Sequence, residues 1–580
     1  MTYYDMEDIP LEKTEGDFLA IQLPELDEKE KNILDPIVAP TSGLRIKIYD
    51  EISENKFLLT RRKFYLFLRF FRAISQKYKE LKKNEKLAIL IVTDDRPSNS
   101  ALLHYSSAIF KYEGFKIYHQ KGQQGTSLLS SPYGAASVAL YNDIDIVIVI
   151  TASHNDLSWN GIKFYIDYPM PMSGILLNDI SKKALKIKEI FLKMDYNAIT
   201  IDAEQKNNDY VIELLSKIIN IESMKDKSIV IWPYLGKARG IMQLFKHYGA
   251  NVVLVEEEVN PPNPIKVIKE DKLKKIMEES DSEIALLLDA DRDRIALYIK
   301  QGGNYITYIP NEIYSAMHNM LSKEFGKKII NIRTIPSDPR GDDMAFLNIL
   351  TGVGYKHLGA ILYFLMGVPV EKSKIDTAIL YLMDQKGDLM KLDNPEPLKN
   401  YLTSLLKKKG IQEGEFILVL WEESGGHTLN ILDSKIDIDS GEMKYNSPFA
   451  LIADKYPVPA LVLITELICK GQVISDSIDI SIVGINSTIT ATDEQKIKIM
   501  KGFEENSGKK IDIAGKNYQV SALSDNNNII DIYQLKSKDS ILYFRPSGTG
   551  PDVRFYIFGK RETYSEEIKK VQDFIKSRYS

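Results

Sequence analysis

Apolar residues fall along this chain in short runs that alternate between strand and helix spacing, with turn residues between them. Leu87–Val92 is an apolar run that ends at Asp94-Asp95-Arg96-Pro97, which predicts a strand and a turn. Ser100–Tyr112 has helical spacing. Ile144–Ile150 is almost wholly β-branched, the pattern of a strand buried on both faces of a parallel sheet. A second unit opens near Tyr210. In it Ser228–Trp232 reads as a strand, Ala238–Tyr248 as a helix closed by Gly249, and Asn251–Val255 as a strand. After the Pro-rich turn Asn260–Pro264, Ile284–Leu288 and Ile295–Ile299 read as strands flanking a charged loop. A third unit, from about Tyr305 to Tyr456, has a helix over Asn311–Phe325 closed by Gly326 and strands at Lys328–Ile332 and Phe416–Leu420. Tyr456–Pro459 marks a boundary zone, followed by an apolar helix through Cys469. The last hundred or so residues read as α+β. Thr492-x-x-Gln495 and Thr563-x-x-Glu566 are capping boxes there, and Ile541–Phe544 and Val553–Phe558 are strands around a Gly/Ser/Thr loop.

Composition narrows the class. In 580 residues, 44% are hydrophobic and 27% charged, which excludes a disordered chain or a coiled-coil rod. The net charge of −5 gives no general attraction to nucleic acid or to an anionic membrane, so any anion must be captured by a local site. One cysteine, Cys469, excludes an intramolecular disulfide and a thiolate metal cluster. The first residues are acidic and lack a signal-peptide pattern, and no apolar run approaches the roughly 18 residues of a membrane span. A cytoplasmic, soluble, multidomain protein is expected. Residues 1 to about 36 read as an acidic extension with little core of its own.

Four loops carry chemistry. Thr151-Ala152-Ser153-His154-Asn155 follows the buried strand, where open α/β sheets place ligands, and Asn160-Gly161-x-Lys163 adds a cation. Ser153 reads as a nucleophile or phosphate carrier, or as a helix cap. Asp289, Asp291 and Asp293 sit at i, i+2 and i+4 and suit a hard cation such as Mg²⁺, with Arg294 as a fixed charge for a phosphate; the alternative is a charged hairpin tip. Glu422-Glu423-Ser424-Gly425-Gly426-His427 has the parts that hold sugar hydroxyls, or is a Gly-Gly turn with solvated acids. In Arg545-Pro546-Ser547-Gly548-Thr549-Gly550-Pro551-Asp552-Val553-Arg554 two guanidiniums bracket two hydroxyls, the composition of a phosphate clamp. Together the four loops fit the movement of a phosphoryl group on a sugar phosphate.

These loops resemble, in order, the T-A-S-H-N-P…N-G-x-K, D-x-D-x-D-R, G-E-x-S-G and R-x-S-G-T-E-P motifs of the α-D-phosphohexomutases, the superfamily of phosphoglucomutase and phosphomannomutase. Thr41-Ser42-Gly43-Leu44-Arg45 resembles that family's opening G-T-S-G-x-R-G, and Thr351-Gly352-Val353-Gly354-Tyr355-Lys356 its sugar-contact loop. The resemblance covers about residues 37 to 580. It implies three related α/β domains plus a smaller C-terminal α+β domain around a central cleft, with boundaries at 1–36, 37–205, 206–304, 305–470 and 471–580.

It also implies a mutase that interconverts hexose 1-phosphate and hexose 6-phosphate. Ser153 would be the phosphoserine and hexose 1,6-bisphosphate the intermediate and primer. Asp289, Asp291 and Asp293 would hold Mg²⁺ with the Ser153 phosphate. Arg45, His154 and Lys163 would surround the transferring group, with Lys163 as proton carrier. Arg294, Lys356, Glu422 and Ser424 would contact the substrate, and Arg545, Ser547, Gly548, Thr549 and Arg554 would hold the non-reacting phosphate. The chain departs from the family pattern at Ile46, Asp156, Arg292, Trp421 and Gly550, and the sugar-loop histidine is displaced to His427. Those departures leave open a non-catalytic sugar-phosphate-binding relative, and a metal-dependent phosphohydrolase with a structural Ser153 is a third reading. The preferred hexose and the oligomeric state are not legible.

Overall fold

The computed structural model describes residues 2–14, 16–35, 44–82, 87–171, 175–370, 372–383, 389–392, 396–409, 416–431, 451–546 and 552–579. The chain forms two compact units, one of Met1–Thr307 with Asp454–Val462 and one of Tyr308–Ala453 with Leu463–Ser580.

Two large sheets organise the first unit. One has the strand order Ile199–Ile201, Lys116–Gln120, Ala88–Thr93, Ile146–Ile150, Trp159–Ile166, Leu44–Lys47. Its central strand Ile146–Ile150 is buried throughout because both faces are covered. Ile146, Ile148 and Ile150 join a core that includes Phe67 and Phe71 of the helix Arg61–Leu81. Val149 faces the helix Ser131–Leu140 so closely that a Cβ on Gly134 would meet its methyl at 2.9 Å. The strand runs parallel to Ala88–Thr93 but antiparallel to Trp159–Ile166. The setting is therefore mixed where the sequence predicts a parallel one. A β-branched run records burial on two faces and does not record the direction of its neighbours.

The acidic arm has no core of its own and uses the one beside it. Tyr3–Met6 runs parallel to Lys56–Leu59, and Leu19–Gln22 is antiparallel to Glu189–Leu192. Ile21 and Leu34 are buried in the same cluster as Phe64. The helix Glu28–Leu34 opens on a capping box between Asp27 and Glu30.

The second sheet has the order Asn251–Leu254, Ser228–Trp232, Ile284–Leu288, Ile295–Gln301, Asn304–Tyr308. Ile284–Leu288 is parallel to Ser228–Trp232 and antiparallel to Ile295–Gln301. In the second unit the first sheet repeats this grammar: Phe416–Trp421 is parallel to Lys328–Thr334 and antiparallel to His427–Ile431. The helix Pro310–Phe325 packs on it and stops where Gly326 takes φ 62°. The last sheet is antiparallel, ordered Ile482–Thr490, Asp552–Lys560, Ile541–Pro546, Ile530–Lys536, Lys516–Ser524, Lys510–Ile513. Helices Asp493–Glu504 and Tyr564–Tyr579 complete its core, the former opening on the predicted Thr492–Gln495 box.

The fold is thus α/β in three sheets of one pattern, with an α+β sheet last. In each of the first three, an inner strand with a parallel neighbour turns back into an antiparallel one. The Ser153, Asp289–Arg294 and Glu422–Gly426 loops each occupy that turn, at the carboxyl end of the inner strand. Open α/β sheets place ligands at that end.

Candidate active site

Ser153 follows the strand end by three residues. It is 1% exposed and holds φ 55°, a left-handed setting unusual for a non-glycine residue. Its backbone N–H donates to Thr151 Oγ1 at 2.8 Å, and the Thr151 hydroxyl donates to Asp94 Oδ2 at 2.6 Å. Its own Oγ lies 3.2 Å from His154 Nδ1 and donates to Asp289 Oδ2 at 3.3 Å. The return strand lies close against this loop. A Cβ on Gly161 would stand 2.5 Å from the Leu44 carbonyl and 2.7 Å from that of Thr151, so only glycine fits. Arg45 is registered opposite Gly161.

Asp289, Asp291 and Asp293 are buried, and an oxygen of each lies within 4.8 Å of the others. Asp289 Oδ1 accepts from the Asp293 and Arg294 backbone N–H groups at 3.0 and 3.1 Å, which closes the loop on itself. Lys163 Nζ donates to Asp291 at 2.7 Å, to Asp293 at 3.0 Å and to Ser131 Oγ at 2.9 Å. Lys455 lies 3.8 Å from Asp293, and Arg294 lies 3.6 Å from it. Asp291 Oδ1 and Asp293 Oδ1 are buried without a hydrogen-bond partner. Three converging carboxylates with two oxygens that accept no hydrogen bond are a donor set that suits a hard cation.

The electrostatics follow from this crowding. Burial, then Asp291 and Asp293, push the Asp289 carboxyl well above the usual range. Burial also opposes ionisation of Asp293, but Lys163, Lys455 and Arg294 overcome it and hold that carboxyl low. Burial works against the Lys163 charge, and Asp291 and Asp293 more than restore it, so its pKa rises. Burial, with Arg294 and Arg45 adding to it, keeps the His154 imidazole well below its ordinary value. Burial lowers Arg45 as well, against the pull of Asp291 and Asp293.

Two arginines build this pocket that motif reading did not single out for a role. Arg96 is buried and pairs with Asp94 at 3.0 Å. Its guanidinium donates to four carbonyls of the Ser153 loop: Ser153 at 2.5 Å, Asn155 at 2.7 Å, Asp156 at 2.8 Å and Trp159 at 3.0 Å. Arg292 is also buried, and it donates to the Ala290 and Leu235 carbonyls. The sequence signal for Arg96 was the Asp94-Asp95-Arg96-Pro97 turn itself, which places a charge trio straight after a buried strand. Two further departures fill structural positions. Asp156 accepts from the Ser158 N–H at 2.8 Å and from its hydroxyl, and Ile46 is core.

In the second unit Glu422 is buried, accepts from the Ser424 hydroxyl, and bonds through its N–H to the Gly426 carbonyl at 3.0 Å. Trp421 points into the core and donates to Asn331 Oδ1 at 2.7 Å. His427 is also core, its Nε2 3.0 Å from that of His318, which excludes it from the loop surface. Arg545 lies 3.1 Å from Asp531 and reaches the Val353 carbonyl at 3.5 Å. Lys356, in the first turn of the helix Tyr355–Leu365, is lowered by burial against Asp531 and further by Arg545, so the two cations share one neighbourhood. Arg554 is exposed and registered opposite Arg545. Ser547, Gly548 and Thr549, with Gly550, lie outside the described residues, as do Thr41, Ser42 and Gly43.

Residues 41–191 match the family model for the phosphoglucomutase/phosphomannomutase alpha/beta/alpha domain I. A phosphoglucosamine mutase of Thermodesulfovibrio yellowstonii is 30% identical over 178 residues, 27% of this chain and 37% of its own length. A "Probable phosphoglucosamine mutase" of Pyrococcus furiosus is 21% identical over 510 residues, 84% of this chain and 90% of that one. The open form of parafusin, a phosphoglucomutase of Paramecium, superposes with a TM-score of 0.57 at 14% identity, covering 94% of this chain and 92% of that one. Residues 41–191 thus carry the domain I of the phosphoglucomutase/phosphomannomutase family, and the chain as a whole has a fold like that of the phosphoglucomutase parafusin.

Proposed function

We propose that the protein is a phosphohexomutase that interconverts hexose 1-phosphate and hexose 6-phosphate through phosphorylated Ser153 and a hexose 1,6-bisphosphate. The observation that carries this reading is the Ser153 hydroxyl, 3.3 Å from Asp289 in a pocket that also holds Asp291, Asp293 and Lys163. A sugar hydroxyl oxygen attacks the phosphorus carried on Ser153 Oγ. The P–Oγ bond breaks as the bond to the sugar oxygen forms, and the hydroxyl proton ends on Oγ. His154, with Nδ1 3.2 Å from Ser153 Oγ, would pass that proton, and Lys163, held charged by Asp291 and Asp293, would add positive charge beside it. The second half reverses these bonds on the other phosphate, so Ser153 ends phosphorylated again.

Asp289, Asp291 and Asp293 would hold Mg²⁺, which supplies charge neutralisation for the transferring phosphoryl group. Arg45 and Arg294 add fixed positive charge. Glu422, Ser424 and Lys356 are proposed to bind the sugar, and Arg545, Ser547, Gly548, Thr549 and Arg554 the non-reacting phosphate. Among the described residues no helix is long and apolar enough to cross a membrane, and the cytoplasm is the proposed compartment.

A coupled assay tests the reading with glucose 1-phosphate, mannose 1-phosphate and glucosamine 1-phosphate, Mg²⁺ and a trace of bisphosphate. Turnover that depends on the primer, with phosphate on Ser153 by mass spectrometry, is expected. Release of inorganic phosphate instead would make the protein a hydrolase, and binding without turnover would make it a non-catalytic relative.

A further inference from the structure

Arg292 stands inside the metal loop between two of its three carboxylates, where the family resemblance calls for a small residue. Its backbone takes φ 59°, the left-handed region that a glycine would enter freely and a long side chain enters at a cost. A costly conformation persists only where the surroundings hold it, and here the side chain supplies the holding. The guanidinium folds back to the Ala290 carbonyl of its own loop and donates to the Leu235 carbonyl at 2.9 Å. It also lies 3.6 Å from Asp95 Oδ2, next to the Asp94–Arg96 pair that fastens the Ser153 loop. Leu157 of the Ser153 loop packs with Leu235 and Ala290 in a small apolar cluster, so the aspartate loop also meets the Ser153 loop in packing. None of these contacts uses a carboxylate of the trio.

We propose that Arg292 is a positioning residue: a clip that fixes the aspartate trio against the Ser153 loop and so sets the affinity of the trio for a divalent cation. The planar fork suits this work, because it satisfies two carbonyls and a carboxylate from one rigid group, which a lysine cannot do. The inference rests on the mutase reading for its consequence in turnover, but the clip itself is testable through metal binding alone.

The test titrates the purified full-length chain with Mn²⁺ followed by electron paramagnetic resonance, without sugar, and then measures Mg²⁺ activation and sugar KM in the mutase assay. Arg292→Gly relaxes the backbone and removes the fork, Arg292→Lys keeps the charge, and Asp95→Asn cuts the ion pair while leaving Arg292 in place. Asp291→Asn identifies the signal that belongs to the trio. The expected result is a Mn²⁺ dissociation constant raised about tenfold in the glycine and lysine variants and severalfold in Asp95→Asn, with sugar KM unchanged. Native Mn²⁺ affinity in folded Arg292→Gly would overturn the clip, as would a lysine variant that matches wild type. Should the glycine variant fail to fold, Arg292→Lys and Asp95→Asn decide by the same titration. A wild type that binds Mn²⁺ at the trio yet shows no mutase turnover would sink the functional reading and leave the clip standing.

Discussion

The aspartate site of the first unit and the Arg545 site of the second handle charge in opposite ways. In the first, Lys163, Asp291 and Asp293 are nearly sealed from water and answer one another at 2.7 and 3.0 Å. In the second, Arg545 and Asp531 stay 21% and 30% exposed, and Arg554 is open to solvent. A sealed set of charges is arranged before any ligand arrives, and pre-arranged dipoles and charges stabilise a transition state with little reorganisation. On the proposed mutase reading, it cannot follow a bisphosphate that must turn around between two half-reactions. Open cations bind more weakly and feel salt, but they accept a phosphate from more than one approach. On the proposed mutase reading, bond-making falls to the first site and capture to the second.

The sharpest way to break that division is at Ser153. Ser153→Ala should lower kcat by more than about 10³ with little change in sugar-phosphate affinity, because only the relay atom is gone. Near-normal turnover in that variant would remove the first unit from the chemistry. Next in size, Asp291→Asn should lower turnover by about 10² and weaken activation by Mg²⁺, since a hard cation needs anionic oxygen. If a chelator leaves the wild-type rate untouched, the trio is a charged turn and nothing more. Arg545→Ala should act differently. KM should rise about 10–100-fold, as expected for one charge-assisted hydrogen bond to phosphate, with kcat changed only a few-fold. A fall in kcat equal to the rise in KM would place Arg545 in the bond-making step.

The smallest effect concerns pH. His318 is held neutral by burial, down to about 3 from an ordinary 6.5, and burial also keeps His427 low. The unfolded chain therefore binds protons below pH 6.5 that the folded second unit refuses. Stability is full above that pH and falls as pH drops, by about 1.4 kcal/mol per pH unit for each histidine. Urea midpoints at pH 7 and pH 5 should show this slope, and His318→Phe combined with His427→Phe should lower it, leaving the share of His357, which burial also holds down to about 3. An unchanged slope would mean that other groups carry the acid sensitivity.

Much of this was legible in the residues themselves. Ile146–Ile150, Ser228–Trp232 and Ile284–Leu288 announced themselves through apolar runs, and the loops after them through polar residues that no core would hold. What could not be read depends on approach between distant segments. Arg96 reaches carbonyls some sixty residues further on, and a single arginine beside a proline carries no local mark of that reach. Arg292 and Trp421 looked like damaged motif positions, whereas each packs inward and bonds to backbone or to a buried amide. By motif His427 resembles a displaced ligand contact, but it opens the strand His427–Ile431, where one residue decides which face a side chain takes. The Lys163 position was legible by resemblance, but its pairing with two carboxylates needed the fold.

The strand Leu19–Gln22 has a consequence for how the protein is made. Gln22 bonds to Glu189, a partner 167 residues further along. A ribosome adding about 5–20 residues per second delivers that partner on the order of ten seconds later. Until then the apolar Ile21 has emerged without the strand it will pair with. In that interval the edge of Leu19–Gln22 that Glu189–Leu192 will cover is open to chaperones and to other nascent chains.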